Sequence, residues 1–200
     1  MKSLYFLILF SFSTVAEVNL QLQSQLSEMA VVDQDIRRVL GQSGWHQAPE
    51  ELRAQVSEID EVNTSKLKRI LEGRSWFTAS EVGTEGIRAA FLIIQHSSDL
   101  EFQEKMLPML RQSYLNAEGI TGQQLALITD RVLLAKGNKQ IYGTQARFDE
   151  GAIVIEPIEN PVTVNERRAE MGMPPLDDYF KLLEEMYGIK DHPEIKMNVY

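Results

Sequence analysis

The chain has 200 residues, a formal net charge of −9, three histidines and no cysteine. An acidic balance with no basic stripe argues against a general nucleic-acid role, because neutralising phosphates needs clustered Lys and Arg. The lack of cysteine excludes disulfides, thiolate zinc sites, cysteine nucleophiles and a lipidated N-terminal cysteine, so stability must come from burial.

The chain opens MKSLYFLILFSFSTVAEV, with one lysine, an apolar run from Leu4 to Phe10, and small residues up to Ala16. That layout predicts a signal peptide over residues 1–16, cut after Ala16 or alternatively after Ser13. An uncleaved N-terminal anchor is the competing reading. The apolar run is far short of the roughly 20 residues that cross a bilayer, so no membrane span is expected after cleavage. The product is expected to be exported, periplasmic or secreted, with residues 17–200 forming a single globular domain.

Leu22, Leu26, Met29, Ile36 and Leu40 recur at helical spacing and predict an amphipathic helix that Gly41 and Gly44 end. A second helix starts at Pro49, uses Leu52, Val56 and Ile59, continues through Leu67 and Ile70, and stops at Gly73. RSWFTASEVG reads as a loop. The segment IRAAFLIIQH is apolar all round, as in a central helix, although its six-residue run from Ala89 to Ile94 also fits a buried strand. Ser98 and Glu101 suggest a capping box opening a helix at Asp99, with a kink at Pro108. Thr121 and Gln124 repeat the box before QQLALITDRVLLAKG.

The period then changes. QIYGTQARF and GAIVIEPI, joined by Asp149, Glu150 and Gly151, predict an antiparallel hairpin near residues 140–156, and PVTV from Pro161 suggests a third extended piece. NERRAEMG and, beyond MPP, LDDYFKLLEEMYG return to helix. The fold class is mainly α, of α+β type, with one small antiparallel β-hairpin.

Three groups of residues could carry chemistry. Gln95 and His96 end a buried helix, with Asp99 and Gln103 one turn apart on the next. A histidine there suits general-base work, because imidazole gains and loses its charge near neutral pH; the plainer role is to satisfy free carbonyls at the helix end. Asp130 and Arg131 lie in an otherwise apolar helix and point about 100° apart, so each needs an outside partner. They are either interhelical ion pairs or, functionally, Asp130 orienting His96 while Arg131 offers its fork to a carboxylate or phosphate. Gln140, Tyr142, Thr144 and Gln145 supply uncharged donors and acceptors around the flexible Gly143; alternation would put Gln140, Tyr142 and Thr144 on one strand face. Polar residues with glycine are equally common at strand starts. Of Arg167 and Arg168, one would cap an acidic helix and the other reach the pocket.

His46, His96 and His192 show no chelating spacing, so no metal is expected, and a mixed site of His96, Asp99 and Asp130 is a minor alternative. Nucleotide loops, nucleophile elbows and calcium loops are missing, and no cofactor is expected. The ordered set of Trp76, Gln95–His96, Asp99, Gln103, Asp130–Arg131, QIYGTQ, Pro157–Ile158 and Arg167–Arg168 resembles a bacterial family of unknown function often found in exported proteins. The resemblance spans roughly Leu22 to Tyr179 and implies an independent domain whose polar positions share one site. The leading expectation is a pocket that binds a small polar or anionic ligand, or a peptide. The alternatives are a metal-independent hydrolase or transferase with His96 as general base and Asp130 orienting it, and a structural or interaction protein with no active site.

Overall fold

The structure, a computed structural model, describes residues 17–44, 48–149, 152–187 and 196–197. The expected signal peptide and the turn at Glu150 and Gly151 lie outside the described residues. Seven helices are described: α1 (Leu20–Gln42), α2 (Glu50–Ile70), α3 (Ala79–His96), α4 (Leu100–Leu115), α5 (Gly122–Ala135), α6 (Val164–Glu170) and α7 (Leu176–Tyr187). Strands β1 (Ala146–Asp149) and β2 (Ala152–Ile155) form the antiparallel hairpin, and β3 (Lys196–Met197) adds to β2 in parallel.

The all-round apolar segment is a helix, as its alanines favour, and it sits at the centre. α3 touches α1, α2, α4 and α5, and Ile87, Ala90, Phe91, Ile93 and Ile94 are buried in the main core with Leu26, Leu67, Leu110 and Ile128. Its start is earlier than expected: Thr78 caps Glu81 N–H, and Gly83, at φ 66°, breaks the helical path between a first turn and the main run. A second cluster, Ile155, Ile158, Val164, Leu176, Phe180 and Leu183, seals α6 and α7 beneath the hairpin.

Other boundaries also move for identifiable reasons. Pro49 is the residue before α2 and not its first turn. The cap of α4 is Asp99, not Ser98, because the Asp99 carboxylate accepts the Phe102 N–H at 2.8 Å; α4 then runs through Pro108 as one helix. The reciprocal box at Thr121 and Gln124 forms as expected. The segment from Pro161 is not extended but a 3-10 turn, Pro161–Thr163, leading into α6. The hairpin itself is shorter than residues 140–156. Gln140 makes only an isolated bridge to Ile158, and residues 141–145 are a loop, so the expected alternation of their side chains does not apply.

Candidate functional site

The QIYGTQ loop is held between a carboxylate and two guanidinium groups. Asp130, fully buried in α5, accepts N–H bonds from Ile141 at 2.7 Å, Tyr142 at 3.0 Å and Thr144 at 3.0 Å, and the Thr144 hydroxyl at 2.9 Å. The carbonyls of the same loop face cations. Arg167 Nε donates to Ile141 O at 2.8 Å, Arg168 donates to Tyr142 O at 2.8 Å, and the Tyr179 hydroxyl donates to Thr144 O at 2.8 Å. The peptide unit between Ile141 and Tyr142 thus has its carbonyl on Arg167 and its N–H on Asp130, each end meeting the opposite charge.

The glutamines complete the clamp. Gln140, with no exposed surface, gives its amide to Gln145 O and Glu156 O and takes the Gln145 N–H on its oxygen. Gln145 reaches Leu127 O on α5 and the Thr144 hydroxyl. Gly143 needs its glycine: φ is +68°, and a Cβ would lie 2.9 Å from Ile158 Cδ1 and 3.0 Å from Leu176 Cδ1. Burial pushes the Asp130 carboxyl above its ordinary value, and the bonds from Tyr142, Thr144 and Ile141 pull it back without overcoming that. Burial, then the Asp130 charge, raises the Tyr142 phenol, which feels Arg111, Glu170 and Arg167.

The expected partnership of His96 with Asp130 does not form, because the Asp130 oxygens are filled by the loop. His96 Nδ1 instead lies 2.8 and 2.9 Å from the two carboxylate oxygens of Asp33 on α1. Asp33 is 1% exposed and also accepts from Arg37 Nη1 at 2.8 Å and from Gln34 Nε2 at 2.7 Å. Arg37 extends its other nitrogen to both oxygens of Asp60 on α2, at 2.9 and 2.8 Å. Burial alone would raise the Asp33 carboxyl; the bond and charge of His96, the Gln34 amide and Arg37 outweigh it and hold the group below its ordinary value. A carboxylate only accepts, so Nδ1 carries the proton, and in neutral His96 the lone pair is on Nε2. Nε2 has no partner among the described residues.

Arg131 joins this second cluster from α5. It donates to Gln95 O, next to His96, and no carboxylate pairs with it among the described residues. Burial, and then the nearby Arg37 charge, lower its guanidinium pKa, with Asp60 and Tyr179 opposing. Gln103, 3% exposed, gives its amide to Ile94 O, Gln95 O and Ser97 O, so Gln103 and Arg131 together serve the Ile94 and Gln95 carbonyls in the last turn of α3. Asp99 faces elsewhere: it pairs with Lys68 on the rim of a hollow of about 770 Å³ floored by Leu71, Phe102 and Met106. Its carboxyl is lowered by the Lys68 bond first and the Phe102 N–H second.

Of the residues expected to share one site, then, Gln95, His96, Gln103 and Arg131 meet at the end of α3. Asp130, Gln140, Thr144 and Gln145 build the neighbouring loop clamp, and Arg167 and Arg168 serve that clamp together. Asp33, Arg37 and Asp60 were missed. Asp33 had a signal: seven residues after Leu26 and four after Met29, it is a carboxylate in phase with the apolar stripe of α1, with Arg37 one turn on. No cluster of His, Asp and Glu with the makings of a metal site is found among the described residues.

These features define a mainly helical domain with a small sheet, whose central helix ends in a half-buried cluster of imidazole, carboxylates and guanidinium groups. The chain belongs to the family of unknown function DUF6624, whose model matches residues 20–192. No curated protein and no solved structure matches it.

Proposed function

We propose that the domain binds a small anionic ligand, a carboxylate or phosphate, at Arg131 beside His96. The observation that carries this reading is a largely dehydrated guanidinium that has a backbone carbonyl for a partner and, among the described residues, no paired acid. Taking such a charge out of water is costly unless a counter-charge answers it, and the planar fork suits bidentate oxyanions. Arg37, by contrast, is already answered by Asp33 and Asp60. The loop clamp lies beside this site as its scaffold, and its buried glutamines are not ligand contacts in this reading. No described helix is long and apolar enough to cross a membrane, and the apolar start of the chain supports export of the mature domain from Glu17 onward.

The test is melting of the wild type and Arg131→Gln in a panel of inorganic phosphate, sulfate, acetate and citrate at constant ionic strength. An anion at about 100 times its Kd adds about 2.7 kcal/mol, or about 5–10 °C for a domain of this size. That gain should vanish in Arg131→Gln. If no anion raises the wild-type Tm, or the variant responds equally, the reading is wrong.

A further inference from the structure

Asp33 has no business on the apolar stripe of α1 unless something there needs a negative charge, since a buried carboxylate is tolerated only when fully bonded. A histidine at a helix end has a cheaper use, to cap the carbonyls, but here Gln103 and Arg131 do that. His96 turns the other way, onto both oxygens of Asp33. The carboxylate is in turn held by Gln34 and by Arg37, which Asp60 fixes from α2. Four elements thus converge to set one ring: α1 through Asp33 and Arg37, α2 through Asp60, α3 through His96 itself, and α5 through Arg131 at the adjoining carbonyl. Among the described residues Nε2 has no partner, and 15% of the side chain is exposed, so that nitrogen is within reach of a small molecule from solvent.

We propose that His96 is a catalytic base and Asp33 its positioning residue, the base taking a proton from an O–H group of the anionic ligand. The proposal rests on the anion reading of Arg131. The proton passes from the ligand oxygen to Nε2, giving an imidazolium whose Nδ1–H stays on Asp33; the O–H bond breaks with its electron pair left on the oxygen, and the reverse transfer restores both groups. Asp33 sets the tautomer that leaves the lone pair outward and offsets the positive charge as it forms. The substrate class is an acid that carries a hydroxyl within reach of the imidazole when its acid group is on Arg131.

The test uses the intact mature chain and two readouts that do not require the natural substrate. Nitrogen-15 NMR of the histidine rings reports the tautomer, and diethyl pyrocarbonate reports the reactivity of each imidazole, located by peptide mass. In the wild type, neutral His96 is expected as the Nδ1–H form and should be modified by the reagent at Nε2. Inorganic phosphate should slow that modification in the wild type and not in Arg131→Gln. Asp33→Asn should release the tautomer and slow the reaction at His96 by at least about tenfold, within the range that general-base arrangements contribute. An Nε2–H tautomer in the wild type overturns the proposal whether or not Asp33→Asn folds, as does a folded Asp33→Asn with unchanged His96 reactivity. If phosphate neither binds nor protects while the tautomer and the Asp33 effect hold, the anion reading fails and the Asp33–His96 pair stands.

Discussion

Replacing Asp130 by alanine measures what holds the QIYGTQ loop. The carboxylate takes three backbone N–H groups and one hydroxyl. The Thr144 hydroxyl already accepts from Gln145 and can turn, so the lasting loss is three amides, that of Thr144 buried and those of Ile141 and Tyr142 partly buried, each costing up to about 1–3 kcal/mol when left unpaired. Relief of the buried charge and entry of water offset part of this, and removal of one partner from a buried charged network typically costs about 3–5 kcal/mol. For a domain of this size that is a fall in Tm of about 6–20 °C. Asp130→Asn should fall between: one oxygen still serves Ile141 and Tyr142, while the amide nitrogen faces the Thr144 N–H and costs about 1–3 kcal/mol. Chemical denaturation gives the free energy, and hydrogen exchange should show Ile141, Tyr142 and Thr144 losing protection before the core of α3 does. A loss below about 1 kcal/mol with those amides still protected would refute the view that Asp130 organises this loop.

The two buried aspartates should respond oppositely to acid. Asp130 is raised above 3.8 in the folded state, so its contribution is fully present below that value and is lost as pH rises through the folded pKa; the stability gap between wild type and Asp130→Asn should widen on acidification towards pH 3.8. Asp33 is lowered, so its contribution is present above 3.8 and lost as pH falls through the folded pKa, and the gap to Asp33→Asn should narrow below 3.8; urea melts across pH check both signs. Gly122→Ala, at the first position of α5, sets a helix preference of at most about 0.5–1 kcal/mol against packing: its Cβ would run into the Met171 carbonyl oxygen, and overpacking at about 1–3 kcal/mol should win. A stabilised Gly122→Ala would show that α5 does not press on the end of α6. Thr64 buries a hydroxyl with no partner among the described residues, so Thr64→Val should raise stability by up to about 1 kcal/mol, and a loss of more than about 1 kcal/mol in the same melts would mean the hydroxyl is bonded.

Local chemistry made much of the helical framework readable before any coordinates. The Leu26–Met29 stripe, the reciprocal bonds of Thr121 and Gln124, and the apolar circumference of IRAAFLIIQH depend on neighbours within a turn or two, and their patterns survive in the fold. The same is true of the need of Asp130 and Arg131 for outside partners, since adjacent helical residues point apart. Which partners answer them was not local. Asp130 meets amides ten or more residues away, a guanidinium–carbonyl contact joins Arg131 to Gln95, and His96 finds an acid 63 positions earlier. The short polar run at Gln140 was misread as strand because alternation in sequence carries no record of a carboxylate and two arginines that bend the backbone into a loop. Composition and periodicity by themselves determined a helical domain with charges stranded in its apolar faces. Only tertiary packing decided that those charges form two neighbouring clusters, one clamping a loop and one leaving an imidazole nitrogen open, because long-range electrostatic pairing depends on distances that helix crossings set.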